Sequence, residues 1–205
     1  LREDLRPRDV IFPDQYYDRT KRSADHTFFG NGIVAHVPFG EPVCAELKSN
    51  LAGCTAAVIA GHHDYVGIRV HTSGIYVNME GPAFSTKAES NFYRQCGFDI
   101  IGMTSLAEAK LCREAEICYV TMALVTDYDC WHQEFESVTI DMILGNLAAN
   151  TKLSQDILLN FFSRTPPQKK CDCGSSLKNA IVTAPEVIPA ERKKALKPII
   201  QKYIS

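Results

Sequence analysis

The sequence predicts an α/β fold, a central sheet with helices packed on it, and three observations carry that prediction. Short runs rich in β-branched and aromatic residues alternate with segments of helical period along the 205-residue chain. Two of the helical segments open on capping signatures, a hydroxyl residue followed three or four positions later by glutamate. The composition, 45% hydrophobic and 22% charged, suits one sizeable core, so residues 1–205 are expected to form a single domain.

Taken in order, VIFPDQ (10–15), GIVAHVP (32–38), GIRVHT (67–72), GIYVNMEG (74–81), FDIIGM (98–103) and ICYVTMALVT (117–126) read as strands. Helices are expected from Cys44 to about Ala60, Thr86 to Cys96, Ser105 to Ala115 and Ser137 to Ser163. Ser85 or Thr86 can cap the second with Glu89 in its first turn, and Ser105 with Glu108 repeats the spacing in the third. The fourth repeats apolar residues at Ile140, Ile143, Leu144, Leu147, Leu153, Ile157, Leu158 and Phe161, which implies one buried face in the core or at an interface. RTPPQKKCDCGSS then reads as a loop, and short helices over Ser176–Val182 and Pro189–Tyr203 end the chain.

A net charge of −2 lacks the basic footprint that nucleic-acid binding needs, and no apolar run approaches the ~20 residues that cross a bilayer. The charged start LREDLRPRD differs from a signal peptide, so a soluble protein of the cytoplasm, or of the nucleus, is expected. Six of the eight cysteines, Cys44 and Cys118 among them, sit singly and read as reduced core thiols. Cys171 and Cys173 form a C-x-C too short for the usual zinc knuckle, with no second pair nearby in sequence; they read as two thiols in a loop, with redox or disulfide roles as alternatives. His26, His62, His63, His71 and His132 read as surface or loop residues, and His36, inside an apolar run, as a core histidine.

Ligands of α/β proteins gather where strands end, and three strand ends stand out. NMEGPAFST turns at Gly81 and Pro82, leaving Phe84 to stack on a flat ring beside Ser85. GMTS places Met103 and Thr104 at a helix start whose free N–H groups favour an anion or a hydroxyl-rich ligand. TDYDCW carries Asp127 and Asp129 two residues apart, so both can address one ligand edge, and their like charges favour a raised pKa on one of them. By spacing alone these acids could equally bind a metal or cap a helix, so the residues themselves support a ligand crevice rather than a reaction.

DQYYDRT (14–20), TFFGNGIVAHVPFGEPVC (27–44), MEGPAFSTKAES (79–90), IGMTSLAEAKLCREAEICY (101–119) and TDYDCW (126–131) occur in one order, and together they resemble the trimeric branch of the purine nucleoside phosphorylase family, its methylthioadenosine-cleaving members above all. The resemblance runs nearly continuously from Leu1 to about Phe162. It implies a three-layer, phosphorylase/hydrolase-like fold with a central mixed sheet flanked by helices, a homotrimer, and phosphorolysis of S-methyl-5′-thioadenosine to adenine and 5-methylthioribose 1-phosphate, a step of purine and methionine salvage. It implies no cofactor and no metal, phosphate being a co-substrate. By matching position, Phe84 and Ser85 resemble the base contacts, Met103 the ribose contact and Thr104 a phosphate ligand. Asp127 and Asp129 resemble the adenine readers, with Asp127 managing the proton at N7 as the catalytic acid. His36 resembles a histidine that enters a neighbouring subunit's 5′ pocket, and Ile140, Ile143 and Leu144 the wall around the methylthio group.

Ala83 stands where the family has arginine, and KRSAD where it has Arg-Pro. Family members also carry about a hundred earlier residues with a Gly-rich phosphate loop, so the expectation is a fragment or processing product partnered by an N-terminal piece of the same protein. The alternatives are a purine nucleoside phosphorylase of different preference and a non-catalytic nucleoside-binding paralogue.

Overall fold

The computed structural model of the protein describes residues 1–132, 140–164 and 168–204, with the side chains of all of these except Ser23 and Ile140. Among the described residues, six short strands build the sheet. β1 (Val10–Ile11) pairs parallel with β3 (Val70–His71) and antiparallel with β6 (Ala123–Leu124), while β4 (Ile75–Asn78) is parallel to both β2 (Gln15–Asp18) and β5 (Ile100–Gly102). The two ladders join, because β1 runs into β2 and β3 into β4. The Phe12 N–H donates to His71 O at 2.8 Å and the Asp14 N–H to Gly74 O at 3.0 Å across the junction. The result is one mixed sheet in the order β6, β1/β2, β3/β4, β5, broken across its middle.

The break has a local cause. Pro13 cannot donate to a ladder, so the predicted strand 10–15 divides at Phe12–Asp14. Its neighbour across the seam is Gly74, where a Cβ would lie 2.9 Å from Ile11 Cδ1 and 3.2 Å from Asp99 Oδ2, too close for any side chain without movement.

Helices flank the sheet. α1 (Ala45–Gly61) and α4 (Ile140–Phe162) enclose a core of Val10, Phe12, Leu51, Ala52, Tyr65, Leu153 and Ile157. Ile11, between Val10 and Phe12, turns to a second cluster with Leu5, Tyr76 and Ile100, as strand alternation requires. Val77 of β4 packs instead on Tyr93 of α2 (Lys87–Gln95). α3 (Ser105–Glu114) ends on buried Glu114, which accepts from Thr27 Oγ1 at 2.6 Å and the Phe28 N–H at 2.7 Å.

Several expectations are corrected. Residues 32–38 form no strand in the sheet; Val34 and His36 exchange backbone bonds with Val182 and Ala180, tying this segment to the C-terminal residues around Phe29, Ile33, Leu177, Ile188 and Ile200. Of 117–126 only β6 is a strand. Residues 176–180 are turns after a 3-10 turn at Asp172–Ser175, Ile181 bridges to Ala35, and Pro198 divides the last helix into α5 (Ala190–Ala195) and α6 (Lys197–Ile200). Ser137, Val138 and Thr139, the predicted start of α4, lie outside the described residues.

On α4 the buried stripe runs Asn150, Leu153, Ile157 at helical spacing, whereas Leu144, Leu147 and Leu158, assigned to the same face by their apolarity, are exposed. The apolar recurrence was wider than one neighbour can cover. The cap of α2 forms in full, Thr86 Oγ1 accepting from the Glu89 N–H and the Glu89 carboxylate from the Thr86 N–H. The one expected at Ser105 does not; Thr104 precedes α3, and Asn78 Oδ1 from β4 takes the Leu106 N–H at 3.1 Å.

His71 is a strand residue rather than a loop one. With Arg69 it surrounds Asp9, whose side chain is only 3% exposed. The Asp9 carboxylate accepts from the Arg6 N–H (3.2 Å), the Arg69 N–H (3.0 Å) and the Arg69 guanidinium (2.9 Å), with His71 Nε2 at 3.1 Å. Burial pushes this carboxyl up, but the Arg69 amide, the His71 ring, the Arg6 amide and the Arg69 guanidinium outweigh it and hold Asp9 below the usual carboxylate range. Among the described residues no helix is long and apolar enough to cross a membrane.

Candidate active site

β4, β5 and β6 end at one cavity of about 850 Å³. Beyond β4 it takes Met79, Phe84 and Ser85; beyond β5, Met103; beyond β6, the run from Val125 to Cys130; and from α4, Ile143. Of the residues singled out in the sequence, Phe84, Ser85, Met103, Asp127, Asp129 and Ile143 therefore line one space although they come from four stretches of chain. Thr104 stands just outside the lining, exposed at the start of α3 with its hydroxyl free of any capping bond. His36 is exposed on the segment against the C-terminal residues, not a core histidine, and does not reach the cavity; Leu144 is 55% exposed on α4. The Ile140 side chain lies outside the described residues.

Each of the two acids is positioned separately. Asp129 Oδ2 accepts from Ser90 Oγ on α2 at 2.5 Å, and Asp127 Oδ1 from its neighbour Thr126 Oγ1. Among the described residues Asp127 Oδ2 takes no hydrogen bond, which leaves it available to a ligand. The chain entering this corner is held by two asparagines one helical turn apart on α4: Asn146 Nδ2 donates to Thr126 O at 2.8 Å and Asn150 Nδ2 to Val125 O at 3.0 Å. Apolar periodicity had no signal for these polar residues, yet they seat Asp127. On the far side Tyr128 stacks on His132, ring centroids 4.2 Å apart, so His132 too is covered rather than at the surface.

The floor is hydroxylic. Thr121 Oγ1 lies 2.7 Å from Tyr16 Oη, 2.9 Å from Ser105 Oγ and 3.0 Å from Tyr119 Oη, and Thr121, Ser105 and Tyr76 line the cavity. Burial raises the Tyr16, Tyr76 and Tyr119 phenols, so they stay neutral and can donate. Burial and then the Asp129 carboxylate raise the Cys130 thiol, which keeps it protonated and unsuited to act as a nucleophile. Phe84, 81% exposed, offers an aromatic face at the mouth. An apolar slot with a ring at its rim, two carboxylates at one edge and hydroxyls below suits a flat heterocycle with N–H donors, joined to a hydroxylated group.

Gly102, at the cavity floor, has no room for a methyl group, since its Cβ would collide with the Tyr76 phenol oxygen. Tyr76 is 8% exposed and cannot swing aside. Gly102→Ala is expected to cost about 1–3 kcal/mol of stability and to weaken ligand binding, which thermal unfolding and calorimetric titration would measure. Two clusters among the described residues could hold a metal, Cys44 with Cys118, Cys171 and Cys173, and His62 with His63 and Asp64; neither lies in this cavity.

Residues 1–163 match the model of the phosphorylase superfamily. The S-methyl-5′-thioadenosine phosphorylase of Koribacter versatilis is 51% identical over 99% of this chain and 66% of its own length, and that of Gloeobacter violaceus is 51% identical over 99% and 67%. A methylthioadenosine phosphorylase from an antarctic soil metagenomic library superposes with a TM-score of 0.88 at 41% identity, covering 97% of this chain and 67% of its own. A Schistosoma mansoni methylthioadenosine phosphorylase in complex with adenine reaches 0.70 at 33% identity, covering 79% and 60%. The chain thus spans about two thirds of the length of the curated relatives it matches.

Proposed function

The chain belongs to the phosphorylase superfamily, and from that premise we propose that the protein is a transferase that cleaves S-methyl-5′-thioadenosine with inorganic phosphate, releasing adenine and 5-methylthioribose 1-phosphate. One observation carries the reading: Phe84, Ser85, Met103, Asp127 and Asp129 converge on a single cavity at the strand ends. The methylthioadenosine phosphorylases that are 51% identical over nearly the whole chain support it.

In this reading the purine lies against Phe84 and Ser85, with Asp127 and Asp129 at its edge. A carboxylate accepts from the 6-amino group of adenine, whereas a 6-oxo purine would present an acceptor to an acceptor, so the pair of acids selects adenine. As the glycosidic bond breaks, the sugar gains oxocarbenium character and the base gains negative charge. Asp127, with Oδ2 open to the ligand, holds or passes the proton at N7 that neutralises it. Met103 packs on the ribose, and the Thr104 hydroxyl and the α3 N-terminus meet phosphate. Ile143 lines the methylthio end of the cavity. No cofactor is required in this scheme beyond phosphate itself.

His36 lies away from its own cavity and is exposed, which accords with a role in a neighbouring subunit's 5′ pocket and with a homotrimer. The exposed Met142, Leu144 and Leu147 on α4 offer such an assembly apolar surface to bury.

The test is adenine release by the protein at its full encoded length, with methylthioadenosine, adenosine and inosine compared, each with and without phosphate. Phosphate-dependent turnover, fastest on methylthioadenosine, is expected. Preference for inosine would move the protein to another purine specificity. Calorimetric binding of methylthioadenosine without turnover would leave a nucleoside-binding protein instead.

A further inference from the structure

Four cysteines from three distant stretches of the sequence meet outside the cavity. Cys44 is the N-cap of α1, Cys118 follows α3, and Cys171 and Cys173 flank the start of the 3-10 turn at Asp172–Ser175. Their four Sγ atoms all lie within 4.8 Å of one another, with Cys44 and Cys173 buried and Cys118 and Cys171 half-buried. The C-x-C has its second pair after all, supplied by the fold rather than by the neighbouring sequence. We propose that Cys44, Cys118, Cys171 and Cys173 form a structural four-thiolate site for a zinc ion.

The spacing is close to that of a coordination shell. Four sulfurs placed tetrahedrally at Zn–S distances near 2.3 Å are about 3.8 Å apart. Cys118 and Cys171 stand at 3.4 Å, so a shift of a few tenths of an ångström reaches that value, whereas a disulfide would need them to close to about 2.05 Å. Soft sulfur ligands in a tetrahedral set select zinc among the common divalent ions. Four protein ligands leave no open position, so the ion would be structural and take no part in chemistry at the cavity.

The surroundings fit bound thiolates. Cys44 Sγ accepts the Leu47 N–H at 3.4 Å at the positive end of α1, a 17-residue helix. Glu46, in the first turn of α1, accepts the Lys170 and Cys171 N–H groups at 2.9 Å each, which fixes the C-x-C loop over Cys44. Lys169 lies beside Cys118 and offsets the excess negative charge of four thiolates around a dication. The site would bind the C-terminal residues, whose core cluster is separate from the one between α1 and α4, to α1 and the end of α3.

The experiment measures metal in protein produced in zinc-supplemented medium and purified with reductant. About one zinc per chain is expected, with an X-ray absorption shell of sulfur only near 2.3 Å. Cys171→Ser, at the half-buried position, should lower zinc content at least about ten-fold and bring the thermal midpoint down, while Cys96→Ser, outside the cluster, should change neither. Should Cys171→Ser not fold, cobalt substitution of the unaltered protein decides: intense visible bands of tetrahedral thiolate coordination support the site and their absence overturns it. Zinc well below one per chain, stoichiometric iron in its place, or disulfides among these four cysteines in the protein as isolated from cells would each overturn it.

Discussion

Asp127→Asn is expected to lower kcat/KM for methylthioadenosine by about 10²–10⁴-fold, the range that a positioned acid or base supplies. Asparagine has nearly the shape of aspartate and can still hydrogen-bond to the purine, but it cannot hold a proton for N7. kcat and kcat/KM should therefore fall together, because the lost interaction is one made in the transition state. Folding should be almost untouched: among the described residues the Asp127 side chain makes one hydrogen bond, to Thr126 next to it, so a change within about 0.5 kcal/mol is expected. The same substitution offers an N–H to a 6-oxo purine and should raise inosine turnover relative to methylthioadenosine. Steady-state kinetics on the three nucleosides, beside a denaturation curve, checks all of this. Turnover within a factor of two of the unaltered protein would remove Asp127 from the chemistry.

Asp9→Asn has the largest expected effect on stability. Asp9 gathers two backbone amides, a guanidinium and an imidazole around one buried carboxylate where β1 meets β3. Neutralising it leaves the Arg69 charge without its partner, and the buried amide cannot satisfy all the donors that the carboxylate did. A loss of about 3 kcal/mol is expected. The pH dependence has a definite sign. The folded-state pKa of Asp9 lies below its unfolded value, so its contribution is fully present above that unfolded value, near pH 4, and is lost as pH falls through the folded one. The gap between the two proteins in urea denaturation should be constant at neutral pH and shrink below about pH 4. A gap that persisted undiminished into strong acid would show that packing, not charge, accounts for it.

Much of the candidate site was legible because its signals are local. Gly81–Pro82 ahead of a Thr86–Glu89 capping box located Phe84 and Ser85 between a strand and a helix, and the acids of TDYDCW stood where an apolar run stopped. The motif order pointed to the family, and the alternation of runs to a sheet flanked by helices. These depend on interactions within a few residues, or on wording that survives in the linear chain. By the same token Ser105 deceived. Its spacing to Glu108 matches a capping box, but Asn78 from β4 reached α3 first, and the serine hydroxyl joined Thr121 instead.

What the sequence by itself determined was the kind of most elements, six of the residues that line the cavity, both acids among them, and the family. Only the tertiary structure decided which apolar residues of α4 are covered, that Asn146 and Asn150 hold the backbone before Asp127, and that Tyr16, Tyr119 and Thr121 form a hydroxyl floor. It alone brought Cys44 and Cys118 to Cys171 and Cys173. The physical reason is the same in each case: periodicity and capping are set by neighbours along the chain, whereas burial, hydrogen-bond partnership and metal-ligand geometry are set by segments that meet only once the sheet has brought them together.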